Sequence, residues 1–295
     1  MRKYFVATVL ACTLATAGST VVAQTAQEPV KQYLPQRGDF AFGVDVIPLF
    51  KTIGGSYLSS ETVPVGGTAP DYDMYLRPNV SIMGKYMFSD KWAIKANLGI
   101  AVRNSNNRLY TVDDLAAYDA PTSEAKVIDS RKVTRSGGSL MLGIESRVGK
   151  RRVQGVFGGG VLFGFSTYKE SYTYGNALTS LNRYPSTAFP DVASSVALPA
   201  GYRVTDYNFN GPSFVAGIYG SVGAEWFVAP KIALGATVDL YLYGSFGAKG
   251  WVKSEGYNEA YRLVEKRTDL YTPGNVSVNF GTDNLGGSLY LMFYF

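Results

Sequence analysis

Nine charged residues lie in or beside otherwise apolar runs: Asp45, Arg77, Lys85, Lys95, Arg103, Glu145, Arg147, Glu225 and Asp239. Two kinds of chemistry are open to such a set. One is ion pairing, since an enclosed charge costs several kcal/mol unless a partner and hydrogen bonds offset it. The other is proton transfer, which calls for a group that titrates near neutral pH. Histidine is the usual one, and the chain contains none. Its single cysteine, Cys12, lies in the apolar N-terminal stretch. No paired Asp/Glu motif supports catalysis by carboxylates alone. The acidic members (Asp45, Glu145, Glu225, Asp239) nearly balance the basic ones. The set therefore reads as an ion-pair network and not as an active site, with no cofactor or metal implied.

The elements that must position these charges are strands. Apolar residues recur at every second position in eight segments: Phe40–Val46, Val80–Phe88, Trp92–Val102, Leu140–Val148, Val153–Phe165, Phe214–Trp226, Ile232–Leu242 and Leu285–Phe295. A period of two places those residues on one strand face. No apolar face carries a charge, and the charges occupy the opposite face. In a soluble sandwich the charged face would meet water. In a barrel standing in lipid the apolar face points out and the polar face lines the lumen. Alternation alone does not separate these two architectures.

Loop lengths do. Three connections are very short: Ser89–Lys91, Gly149–Arg152 and the turn around Ala229–Lys231. They alternate with long ones at about residues 51–76, 104–133, 169–211 and 245–280. Short turns at one end and long loops at the other mark an outer-membrane barrel. Eight strands put both termini at the short-turn end, and an eight-stranded lumen is filled by its own side chains. Val276, Val278 and Phe280 change register after Asp283. One bulged strand explains this; a hairpin there would raise the count to ten. Gly158–Gly160 lacks the strand-to-helix setting of a phosphate loop and reads as small residues that allow curvature.

Composition agrees. Arg2 and Lys3, an uncharged apolar stretch from Phe5 to Ala17, and Val21-Val22-Ala23 fit a signal peptide over residues 1–23. Too few apolar residues precede Cys12 for a lipoprotein box. Cleavage after Ala23 removes Arg2, Lys3 and Cys12, so the charge falls from +5 to +3 and disulfides are excluded. That mild excess does not call for nucleic acid. Residues 24–37, with Pro29 and Pro35, read as a polar lead-in, and residues 38–295 as the barrel. The loops are polar and tyrosine-rich: Tyr168, Tyr172, Tyr174, Tyr184 and Tyr202 suit contact with extracellular protein or glycan, and equally packing of loop on loop. Asp71, Asp73, Asp113, Asp114 and Asp119 match no Ca²⁺-loop spacing and read as solvated, with a helical turn at Asp113–Tyr118.

Phe40, Phe88, Trp92, Trp226 and Phe295 all fall at the short-turn ends of strands in the outward register, where an aromatic girdle belongs. The chain closes on Leu289, Leu291, Phe293 and Phe295 in that same register. This tail resembles the C-terminal signal of Gram-negative outer-membrane barrels, which the barrel-assembly machinery reads. With the signal peptide, dyad pattern and loop asymmetry, residues 38–295 resemble the porin-like OmpA/OmpX-type small barrels. The resemblance implies an all-β, antiparallel up-and-down transmembrane barrel in the outer membrane, in contact with lipid and lipopolysaccharide. It carries no catalytic motif. It implies a structural or surface role through external loops, or else a narrow channel.

Overall fold

The computed structural model describes residues 33–46, 80–190, 198–208 and 211–295, with the backbone alone at 279–285. The chain is built of antiparallel strands: β1 (Phe40–Asp45), β2 (Val80–Met87), β3 (Trp92–Val112), β4 (Lys126–Val148), β5 (Val153–Thr173), β6 (Arg203–Asn208), β7 (Ser213–Ala229), β8 (Ile232–Gly247), β9 (Gly250–Asn258), β10 (Leu263–Thr272) and β11 (Asn275–Tyr294). One short helix, α1 (Asp114–Asp119), crowns the β3–β4 hairpin.

Eight strands form a ring. Neighbours pair in the order β1, β2, β3, β4, β5, β7, β8, β11, and β11 returns to β1. The closing seam registers Phe42 with Phe293 and Val44 with Leu291. Phe40 and Phe295 exchange backbone hydrogen bonds of 3.1 and 2.7 Å, so the last residue is tied into the seam. β11 is a single strand whose register against β8 shifts between Phe280 and Leu285. The ring therefore has eight strands and not ten.

The sides of the strands are sorted as period two requires. Phe42, Ile94, Ile144, Phe163, Ile218 and Val238 are exposed, while Met83, Lys85, Glu145, Leu162, Glu225 and Met292 are buried. An outer wall this apolar around an interior this charged is the inverse of a water-soluble domain and is what lipid demands of a barrel. Closing the ring gives each of its eight strands a paired neighbour on both sides.

Two of the long loops, 104–133 and 245–280, are in large part strand, and the 169–211 loop contributes the end of β5 and β6. β3 and β4 stay in register up to Val112 opposite Lys126, far above the apolar band. β5 runs to Thr173, where Glu170 and Ser171 pair with β6. β6, β9 and β10 continue from β5 as a side sheet at the loop end. The reason these strands escape the period-two reading is physical: β3 above the apolar band is exposed on both faces, and the face that β5, β6 and β9 bury is made mainly of tyrosines and polar side chains, so no run of apolar alternation marks them. The expected helical turn is α1, capped by the Asp113 side chain, which accepts from the Leu115 and Ala116 amides. Residues 1–32 and the loop at 51–76 lie outside the described residues.

Inside the ring the layers are distinct. At the short-turn end Tyr33, Met83, Met87, Phe227, Met292 and Tyr294 form an apolar floor. Higher up, Met141, Leu162, Val215, Tyr219, Tyr241 and Tyr243 form a second cluster. The charged residues lie between. The described end of the lead-in packs on the barrel: Tyr33 is buried in the floor, the Arg152 guanidinium stacks 3.8 Å from its ring, and the Lys231 amide donates to its carbonyl.

Candidate functional site in the barrel lumen

Three acids and three bases are enclosed at mid-lumen. Lys85 of β2, Lys95 of β3, Glu145 and Arg147 of β4, Glu225 of β7 and Asp239 of β8 are each at most 5% exposed. Every one sits at an inward position of its strand, so ring closure brings five walls to one point.

The tight part of the network is built on Glu225. The Lys85 ammonium donates to Glu225 at 2.6 Å and to both Glu145 oxygens at 2.5 and 2.7 Å. The Arg147 guanidinium donates to Glu225 at 2.7 Å and reaches Glu145 at 3.4 Å. From β11, the Tyr290 and Tyr294 hydroxyls each donate to Glu225 at 2.9 Å. Arg147 also contacts Tyr294 and Gln154. Both carboxylates are thus held by two cations, and Glu225 by two phenols besides. Such saturation is what makes an enclosed ion cluster tolerable, since breaking one member leaves an uncompensated charge.

The upper part is looser. Lys95 lies 3.9 Å from Glu145 and 6.0 Å from the centre of the Tyr290 ring. The Tyr241 hydroxyl is 3.5 Å from Asp239, whose other carboxylate oxygen has no hydrogen-bond partner among the described residues.

Glycines make room for this layer. A Cβ on Gly235 would fall within the Tyr290 ring, 2.6 Å from its hydroxyl. A Cβ on Gly143 would sit 2.5 Å from the Tyr219 hydroxyl. The aromatic rings lie against bare backbone, and only so does Tyr290 lean far enough to reach Glu225.

The structure brings together six of the nine charges named from sequence. Asp45 is half-buried on β1, in register with Tyr290. Arg77 lies outside the described residues. Arg103 is a correction: it is exposed above the band, in register with Arg135, and does not join the buried cluster. β3 continues past the apolar band there, and an inward-register residue becomes exposed. Tyr290, Tyr294 and Gln154 are network members that charge patterning misses. The signal for the two tyrosines is the even-numbered, inward register of the last strand, and for Gln154 the same register of β5.

Phe40, Phe88, Trp92, Trp226 and Phe295 are all exposed at the short-turn end. Leu289, Phe293 and Phe295 lie on the outer face, with Leu291 half-buried beside them.

A second polar cluster stands at the loop end. Arg131 grips Glu170 with two bonds of 2.6 and 2.8 Å, and Tyr172 donates to it at 2.7 Å. Burial would raise the Glu170 carboxyl, but Arg131, Tyr168, Tyr207 and Tyr172 outweigh it and hold the group below its ordinary value. Tyr172, Tyr207 and Val204 pack there with Val252, and Tyr168 and Tyr174 lie against them. Those loop tyrosines pack on one another, whereas Tyr184 is exposed. Asp114 accepts from Asn182 at 2.7 Å and from the Ser186 amide at 2.8 Å, a structural role in place of a solvated one. Among the described residues no group of His, Cys, Asp and Glu has the arrangement of a metal site.

No family model matches the chain, and no curated protein matches it. Among solved structures it is similar to the outer membrane protein OprG from Pseudomonas aeruginosa, at 13% identity over 89% of this chain and 98% of that one, with a TM-score of 0.33.

Proposed function

We propose that this protein is an integral outer-membrane barrel with a plugged lumen, acting as a structural or surface-contact protein through the sheet and loops above the membrane. The observation that carries the plug is the Lys85–Glu145–Arg147–Glu225 cluster, which ties β2, β4 and β7 across the lumen and is closed below by the Tyr33–Met87–Phe227 floor. A water-filled pore needs a wider ring than eight strands. The apolar band, the aromatic residues at one end and the predicted signal peptide support the membrane and the compartment. The Leu289–Phe295 tail supports recognition by the assembly machinery. The absence of histidine from the whole chain argues against acid–base catalysis. Planar-bilayer recording tests the plug: the expected result is no stable current of porin size, and a steady porin-size current would overturn it.

A second reading, a narrow channel for small solutes, is favoured by the looser Lys95–Asp239 region, where one buried carboxylate oxygen has no partner among the described residues. Its mark would be small, brief current steps that change when Asp239→Asn is introduced.

A further inference from the structure

The outward face of the loop-end sheet is basic where it leaves the lipid band. Residues opposite one another in a ladder share a face. One ladder row therefore crosses six strands on the outward side: Asn106, Lys132, Ser171, Asp206, Lys253 and Thr268. Lys169 lies on the same face, four residues beyond the lipid-facing Phe165, which is roughly 13 Å of strand. Strand tilt reduces that to about 10 Å of height, the depth of a headgroup layer. Arg108 lies diagonally beside Lys132, and Lys266 stands diagonally beside Lys253. All of these cations are exposed.

Two carboxylates share the face, and both are matched. Asp206 lies 3.2 Å from Lys169, and Glu255 lies 2.8 Å from Arg203. The stripe keeps a surplus of positive charge. Trp251 is set among it, 5.2 Å from Lys253 and 6.0 Å from Lys169. An indole between lysines directly above an apolar wall is the composition of a membrane-interface site. On the opposite side, β11 presents Val276 and Val278, 72% and 75% exposed.

We propose that this stripe, Arg108, Lys132, Lys169, Lys253 and Lys266 around Trp251, binds the phosphorylated headgroups of the outer-leaflet glycolipid. The proposal rests on the outer-membrane reading above. The occupant follows from charge complementarity and from continuity with the lipid-facing wall. A ligand whose acyl chains lie against Phe163 and Phe165 has its phosphates at the level of Lys169 and Trp251. Lysines at such a surface act as point charges for phosphate, each adding to an attraction that salt screens.

The test uses the full chain folded in detergent and titrated with bis-phosphorylated lipid A, and separately with its dephosphorylated form. The wild-type protein is expected to prefer the phosphorylated form strongly. Lys132→Gln, Lys169→Gln and Lys253→Gln combined are expected to weaken binding by about a hundredfold. A control replacing Lys150 and Arg151 in the β4–β5 turn by Gln is expected to bind as wild type. Equal binding of the two lipid forms by the wild-type protein overturns the proposal without any variant, as does equal loss in the control. Heat-modifiable gel mobility separates the two failures. A wild-type chain that migrates alike boiled and unboiled refutes the barrel reading, whereas a heat-modifiable chain indifferent to phosphate refutes this proposal alone.

Discussion

Lys85 on β2 and Glu225 on β7, 140 positions apart in sequence, meet at 2.6 Å across the lumen. Neither strand pairs with the other; the contact exists only because the ring closes. This one bond spans the barrel and makes the ion cluster a tie between opposite walls.

Removing one partner of that tie should be costly. Glu225→Ala leaves Lys85 and Arg147 sharing Glu145 and leaves the Tyr290 and Tyr294 hydroxyls without their acceptor. Denaturant unfolding in detergent is expected to show a loss of about 3–5 kcal/mol. A change below about 1 kcal/mol would mean that water already screens the cluster.

Room for Tyr290 is the second requirement. Gly235→Val drives branched carbons into the Tyr290 ring, two of whose atoms already lie 2.3 Å from where a Cβ would stand. The expected outcome is loss of the compact, heat-modifiable form, with partial recovery when Tyr290→Ala is added. Failure of the second change to restore it would locate the defect elsewhere.

The loop-end sheet should loosen in acid. The folded-state value of Glu170 is depressed by Arg131 and the tyrosines. Its contribution is therefore fully present above the unfolded glutamate value of about 4.3 and is lost as pH falls through the lower folded value. Proteolysis by an acid-active protease is expected to cut within β6 to β10 faster below about pH 4 than at pH 6. Glu170→Gln is expected to remove that pH dependence.

Deleting Phe295 separates assembly from stability. It removes one residue of the seam, bonded to Phe40 at both its amide and carbonyl. Refolding into detergent is expected to survive with modest loss, while insertion in cells falls sharply. Normal insertion in cells would refute the tail's role as an assembly signal.

The sequence by itself determined the wall. Alternation through segments such as Phe157–Phe165 and Val238–Leu242 is strong because lipid forbids charge on one face at every second position. The short turns and the bulge near Asp283 were legible for the same reason, since breaks in a clear period are easy to see. The long extensions of β3, β4 and β5 were not legible: β3 is exposed on both faces there, and β5 buries Glu170 and Tyr172 in place of aliphatic residues, so no apolar period marks them. Only the tertiary structure decided which charges meet. Lys85, Glu145, Arg147 and Glu225 share a register that any inward residue has, and Arg103 has it too. Height along the strand separates them: the first four fall at the level of the Tyr290 and Tyr294 hydroxyls, and Arg103 rises past the band into water. Strand tilt and ring closure set that height, and both are properties of the whole sheet.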